Sequence, residues 1–361
     1  MPNFLLRVFY YEYWPFWLFF LPMVPYWLYL SLKAKSLTYF TSANPGIIHG
    51  GVFGESKMDI LNKIEREYLP KTLFFSQGFS PNTILSEITK NGIHMPFIIK
   101  PDVGERGFGV EKVESLLQFY TVLRSLPSDF IVQEYIESPV ELGVMYYKKP
   151  ISGETGITSI VQKDFLSIVG DGKSSLSQLL KNNERARLHF GEIPSKVLIR
   201  LNEVLPQGKI LHLQPIGNHC KGTKFISGNE HISDELVAVF DQIAQKIKGF
   251  YFGRFDLRVP SYEDLMLGKN IKIMELNGVT SEPGHIYDPK LNLFIAYRDI
   301  MVNMKKMNEV SIESMRLGNA TTPSLKLIRL IRQHFSKTTV ATSPVKTATQ
   351  PKKVCHVVGS Y

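Results

Sequence analysis

From Met95 onward the chain reads as short strands interleaved irregularly with helices, and that order restricts the folds open to it. Strand character covers 96–100, 130–134, 141–147, 157–163, 210–215, 252–259 and 271–276. Apolar residues at helical spacing cover 115–125, 175–181, 234–248, 293–307 and 324–335. A doubly wound parallel sheet needs regular alternation of strand and helix. This order predicts α+β lobes instead. Upstream, 36–94 reads as a small α/β unit, with strands expected at 36–41 and 71–76. Its helices are expected at 57–66 and 81–90, the second capped by Ser80. Between the first strand and the first helix, 44–54 holds Pro45, Gly46, Gly50, Gly51 and Gly54. It is either a turn-rich connection or a backbone-lined loop for substrate or phosphate.

The N-terminus sets a second constraint. No charged residue occurs from Tyr13 to Leu30, and all three tryptophans, Trp14, Trp17 and Trp27, lie there. The run approaches the roughly 20 apolar residues that span a bilayer, although Pro15, Pro22 and Pro25 interrupt it. Three readings stay open: a membrane-embedded segment, an apolar cap on the protein's own core, and a cleaved signal. No small-residue cleavage site is evident. If the run spans, Lys33 and Lys35 after it place the rest of the chain in the cytoplasm.

The formal net charge of +9 points to an anionic partner such as a nucleotide, acidic lipid or nucleic acid. No arginine-rich helix, zinc spacing or aromatic RNA-binding signature favours nucleic acid. With only two cysteines, Cys220 and Cys355, a disulfide framework is not expected and a reducing compartment is the default.

Chemistry concentrates in two strands. Arg254 and Asp256 are two apart, as are Glu275 and Asn277, so each pair shares one face of its strand. If the strands are neighbours, a cation, two carboxylates and an amide oxygen converge. Hard oxygen ligands of this kind suit Mg²⁺ bridging to nucleotide phosphates, and the cation can stabilise developing negative charge. A surface salt-bridge cluster would look the same in isolation. Upstream, Lys100 ends a strand that leads into Gly104-Glu105-Arg106-Gly107-Phe108-Gly109. Glycines let backbone N–H groups approach phosphate oxygens, and the lysine adds a fixed charge. The loop lacks the Gly-Lys-Ser/Thr ending of a P-loop. A third element, Gln133-Glu134-Tyr135-Ile136-Glu137, runs towards Glu141. Its strand edge can read an adenine, and an acid beyond it can hold ribose hydroxyls.

In this order the elements resemble the ATP-grasp superfamily, in particular D-alanine–D-alanine ligase and related carboxylate–amine ligases. The resemblance covers about 55–290 and is most specific in 96–145 and 250–285. It implies two α/β lobes clamping ATP, preceded by a short pre-ATP-grasp-like unit and the hydrophobic segment. Lys100 matches the lysine on the phosphates, and Gly104 to Gly109 the loop that covers them. Glu134 matches the adenine-amino acceptor, Tyr135, Ile136 and Glu137 the hinge, and Glu141 the ribose acid. Gly253-Arg254-Phe255-Asp256 and Glu275-Leu276-Asn277 match the two metal-binding strands, with Asp256, Glu275 and Asn277 as ligands. Lys163 lies where such enzymes carry a basic residue near the transferred phosphate, and either Lys57 or Lys63 is the candidate for a first nucleotide lysine. Gly170-Asp171-Gly172-Lys173 looks like an element of cyanophycin synthetase-like ligases, and Asn218 to Thr223 is similar to their glycine loop, with Lys221 at its first glycine. The substrate loop departs from the family, with Glu282 and His285 in it; His285 is either a substrate residue or a solvent-facing or structural one.

The resemblance implies a ligase that uses ATP and Mg²⁺, with Mn²⁺ as an alternative. It would join a carboxylate to an amine through an acyl phosphate, with Arg254 and Lys163 as catalytic groups. Hydroxyl, thiol or peptide acceptors and a silent nucleotide-binding membrane scaffold are the alternatives. The expected organisation is 1–35 membrane-associating segment, 36–94 small unit, 95–310 ATP-grasp domain, and 311–361 C-terminal helix and flexible basic tail. The protein is expected in the cytoplasm or on the cytoplasmic face of a membrane, without nucleic acid.

Overall fold

The computed structural model describes residues 2–104, 107–340 and 355–357. Two five-stranded antiparallel sheets face each other across a cavity. The first contains β1 (Thr72–Phe75), β2 (Phe97–Pro101), β3 (Glu111–Val113) and β4 (Phe130–Glu134). The second contains β5 (Val140–Lys148), β6 (Thr155–Asp164), β9 (Lys224–Ser227), β10 (Phe252–Val259) and β11 (Lys272–Asn277). A small ribbon of β7 (Ser167–Val169) and β8 (Ile210–His212) stands apart, and β12 (Cys355–Val357) extends the first sheet beyond β1. The order in the first sheet is β12-β1-β4-β2-β3, and in the second β11-β10-β5-β6-β9. Mixed helix and sheet is therefore the observed class. β1, from within 36–94, pairs with β4 and so joins the sheet built by later residues.

Each sheet buries one face under helices. Leu73, Phe97, Ile99 and Val132 pack with Ile84 and Ile88 of helix Pro81–Lys90 and with Phe119 and Val122 of helix Leu116–Ser125. Ser80 caps the first of these helices, accepting from the Thr83 amide. In the second sheet, alternate residues Phe255, Leu257 and Val259 of β10 pack with Leu236 and Phe240 of helix Asp234–Gln245. The intervening residues Arg254, Asp256 and Arg258 thereby face the cavity.

Two departures from the sequence pattern have physical causes. Instead of a strand at 36–41, a 3-10 turn forms over Tyr39–Ser42. Thr41 and Ser42 hydroxyls donate to the carbonyls of Thr38 and Tyr39, at 2.8 Å each, and favour the turn. The helix expected at 293–307 continues to Arg316 because its second half buries small polar residues. Asn308 Nδ2 donates to the Leu30 carbonyl at 3.0 Å, and Ser314 Oγ to that of Ser42 at 2.5 Å. The last helix runs over Ser324–Val340. The basic tail falls largely on 341–354 and 358–361, outside the described residues.

The N-terminal run is not one span. It folds as short helices Asn3–Phe9, Phe16–Phe20 and Val24–Ala34, with 3-10 turns at Tyr11–Tyr13 and Leu21–Met23. Pro15 and Pro22 fall at the breaks, as their missing N–H requires. Among the described residues no helix is long and apolar enough to cross a membrane. Phe19, Met23, Leu30 and Ala34 are buried, packed with the last part of the chain that includes Ala296 and Ile300. Other apolar side chains of the segment remain open: Phe4, Phe9, Trp17 and Leu32 are between 67% and 78% exposed.

Candidate functional site

The cavity, of about 1300 Å³, lies where β2 and β4 of one sheet meet β10 and β11 of the other. Its floor is set by strand register. Arg254 pairs with Asn277, and Asp256 with Glu275, across the antiparallel β10–β11 ladder. On the other side Asp256 pairs with Gly143 and Arg258 with Glu141 of β5. Gly143 is required there: a Cβ would lie 3.0 Å from Asp256 Oδ1 and 3.1 Å from Arg254 Cδ.

Charges on this floor are closely coupled. Arg254 grips Asp256 in bidentate fashion, Nε to Oδ1 at 3.0 Å and Nη2 to Oδ2 at 3.1 Å. Asn277 Nδ2 donates to the same Oδ2 at 2.9 Å, and Lys163 Nζ stands 3.4 Å from Oδ1. Burial works to raise the Asp256 pKa, but Arg254 and Lys163 overcome it and hold the carboxyl below its ordinary range. Lys163 is buried, paired also with Glu141 at 3.2 Å, and these two acids outweigh burial to raise its pKa. Lys163 is thus no solvated strand end. Glu141 completes the network through Arg258, Nε to Oε2 at 2.8 Å. Arg258 Nη1 also donates to the Ile136 carbonyl at 2.5 Å, and its guanidinium lies 5.2 Å from the Tyr135 ring centre.

Lys100 joins the two sheets. Its Nζ donates to Gln133 Oε1 at 3.0 Å and to the Met274 carbonyl at 3.1 Å. Burial pushes its pKa down to about 8, against the opposing pull of Glu275. Lys57, rather than Lys63, lines the cavity, and its Nζ donates to the Gly104 carbonyl at 2.6 Å. Gly104, Gly107 and Phe108 line the cavity as well; Glu105 and Arg106 lie outside the described residues. Gly107 has φ 69° and sits against Asn218, where a Cβ would lie 2.4 Å from Nδ2. Gly109 does not reach the cavity.

The remaining expectations divide. Glu134, Tyr135 and Ile136 line the cavity, whereas Glu137 is exposed and does not. The Glu134 carboxylate accepts from the Lys71 amide at 3.1 Å. Glu275 and Asn277 both line the cavity. Asp171 closes its own turn, accepting from the amides of Lys173 and Ser174, and stands outside the cavity. His285 is neither solvent-facing nor on the cavity wall. Its ring is buried between Ser159 Oγ at 2.7 Å and Asp299 Oδ2 at 3.1 Å, and burial lowers its pKa. Among the described residues no cluster of three or more His, Cys, Asp or Glu is placed to hold a metal. Asp256, Glu275 and Asn277 do supply two carboxylates and an amide on one face, a donor set that fits Mg²⁺ when phosphates and water complete its shell.

Comparison with solved structures finds ligases and a synthetase that are similar to part of this chain. Solved structures similar to it include the VanG D-Ala:D-Ser ligase of Enterococcus faecalis, at 16% identity and a TM-score of 0.39 over 73% of this chain and 61% of that one. A D-alanine–D-alanine ligase of Bacillus anthracis matches at 14% identity and a TM-score of 0.41, over 73% and 67% of the two chains. A bifunctional glutathione synthetase of Pasteurella multocida matches at 13% and 0.37, over 69% and 36%. The chain thus spans about three-fifths of the VanG ligase and about a third of the synthetase. No protein-family model and no curated protein matches it.

Several cavity residues escaped the sequence reading. Arg258 continues the period of two begun by Arg254 and Asp256, so the signal was present in β10. Glu12, Tyr13, Trp14 and Phe16 carry no motif; they reach the cavity only because the N-terminal helices fold back on the chain.

Proposed function

We propose that the protein is an ATP-dependent ligase that activates a carboxylate as an acyl phosphate and transfers it to an amine. The observation that carries this reading is the convergence of Lys100, Lys163, Arg254, Asp256, Glu275 and Asn277 on one cavity between two sheets. Lys57 and Lys100 would neutralise nucleotide phosphates, and Gly104, Gly107 and Phe108 would cover them. Glu134, Tyr135 and Ile136 would receive the adenine. Glu141 would meet the ribose only by sharing its carboxylate with Arg258 and Lys163. Asp256, Glu275 and Asn277 would hold Mg²⁺, which supplies charge neutralisation at the phosphates.

In the first step a substrate carboxylate oxygen bonds to the γ-phosphorus as the bond to the β–γ bridging oxygen breaks, releasing ADP. Lys163 stands beside Asp256, where charge on the transferred group can be met. In the second step the amine nitrogen attacks the acyl carbon, loses a proton, and inorganic phosphate leaves. Arg254 stabilises the oxyanion between those events. Exclusion of water keeps the acyl phosphate from hydrolysis.

The test is calorimetry of full-length protein with ATP, with and without Mg²⁺, followed by an ADP-release screen of carboxylic acids and amines. Binding that needs Mg²⁺ and weakens in Glu275→Gln and Asn277→Ala supports the reading. Equal binding by all three proteins overturns it. Product mass spectrometry separates an amine acceptor from a hydroxyl, thiol or peptide one. Attachment to an anionic membrane surface belongs to the same proposal. The observation favouring it is the open apolar face of Phe4, Phe9, Trp17 and Leu32, flanked by Arg7, Lys33 and Lys35.

A further inference from the structure

The N-terminal segment walls part of the cavity, and we propose that this part is the subsite for an amine bearing an aromatic or aliphatic group. The inference rests on the ligase reading, in which an amine attacks beside Arg254. A pocket for one small ligand occupies roughly 300–1,000 Å³. The cavity here, at about 1300 Å³, has room for a second substrate beside a nucleotide.

A chain of contacts leads from the reacting centre to this wall. Arg254 Nη1 donates to the Glu282 carbonyl at 3.3 Å, and the Tyr287 hydroxyl donates to Glu282 Oε2 at 2.5 Å. The Tyr287 ring centre is 4.9 Å from that of His219 and 5.7 Å from that of Phe19. His219 Nε2 is 3.4 Å from Glu12 Oε2, and Glu12 is paired with Arg185 at 2.5 Å. The segment read from sequence as a membrane run therefore stands three side chains from the proposed oxyanion group.

Chemistry of the wall selects the ligand. Tyr13, Trp14, Phe16, Phe19, Phe225 and Tyr287 all line it. Glu282 lines the cavity, and its carboxylate, held by the Tyr287 hydroxyl, is an acceptor suited to an ammonium. His189 also lines the cavity, and burial lowers its pKa to about 4, so the ring adds no opposing charge at neutral pH. Arg7 reaches the wall but is exposed to water. Aromatic faces attract cations as well as apolar groups. A small polar amine would leave this surface bare, whereas an aromatic or alkyl substituent would cover it.

The test uses full-length Trp17→Phe/Trp27→Phe protein, in which Trp14 is the one remaining tryptophan. Its emission is titrated with phenylalanine amide and with alanine amide, which share the ammonium and differ in the ring. Mg-ADP binding to the same protein is measured separately by calorimetry. We expect a saturable emission change with phenylalanine amide at a midpoint at least about tenfold below that of alanine amide. Equal midpoints, or no saturable change with either amide, overturn the subsite. Discrimination without Mg-ADP binding leaves the subsite standing and removes the ligase reading; Mg-ADP binding without discrimination does the reverse.

Discussion

Lys100 Nζ on β2 donates to the carbonyl oxygen of Met274 on β11, 3.1 Å away, so a single buried ammonium spans the two sheets that enclose the cavity. Its position ties closure of the cavity to the charge that would meet a nucleotide. Lys100→Met keeps the length and most of the volume but removes the charge. Nucleotide affinity is expected to fall about 10- to 100-fold, as for loss of a charge-assisted contact. Calorimetry checks this, with circular dichroism confirming the fold.

The same lysine gives a pH dependence. Burial lowers its pKa to about 8, so it is charged below that pH and neutral above it. Nucleotide affinity should therefore decline as pH rises through about 8, well before an ordinary lysine titrates. Lys100→Met should lack that limb. An affinity of the wild type that stays level to pH 10 would contradict the assignment (pH 10 is roughly where an unperturbed lysine begins to lose its proton).

Arg258, Glu141 and Lys163 form a buried network whose loss should be felt in stability. Removing one member of a buried ion pair typically costs about 3–5 kcal/mol, because the other charge is left without compensation. Lys163 stays beside Glu141 at 3.2 Å, so Arg258→Met should cost towards the low end, about 3 kcal/mol. Adding Glu141→Gln should recover part of it. Denaturant unfolding of the single and double variants measures both.

His285 should act on stability rather than on chemistry. Burial lowers its pKa, so below the ordinary imidazole range the unfolded chain binds a proton that the folded ring resists. That contribution is present at neutral pH and is lost as pH falls through the folded value. His285→Gln should flatten this part of the stability profile, followed by urea unfolding between pH 7 and 5 (roughly the window in which an ordinary histidine titrates).

Strands and helices whose apolar spacing reflects one buried face were legible in the sequence. β4, β10 and the helix Pro81–Lys90 lie where that spacing placed them. Asp256 and Glu275 were expected to meet if β10 and β11 paired, and the register makes them neighbours. The second half of helix Leu293–Arg316 was not legible, because burial there falls on Asn308, Ser311 and Ser314, whose hydrogen bonds depend on a segment far away in sequence. The N-terminal run carried two messages in one composition. Its aromatic residues suit both a lipid interface and a protein cavity, and only tertiary contacts such as Phe19 with Tyr297 separate the two uses.

The open face of that segment supplies the last prediction. Phe4, Phe9, Trp17 and Leu32 are exposed while Phe19 and Leu30 are buried, so the short helices are two-sided. A two-sided helix with basic flanks lies in the interface rather than across the bilayer. Full-length protein should co-sediment with vesicles containing phosphatidylserine and should do so less at high salt, because part of the attraction is electrostatic. Phe4→Asp/Phe9→Asp removes apolar area and adds negative charge on exposed positions that do not line the cavity. It should reduce vesicle binding by about tenfold or more while leaving Mg-ADP affinity unchanged. Vesicle binding that survives this variant would mean that another surface holds the protein to lipid.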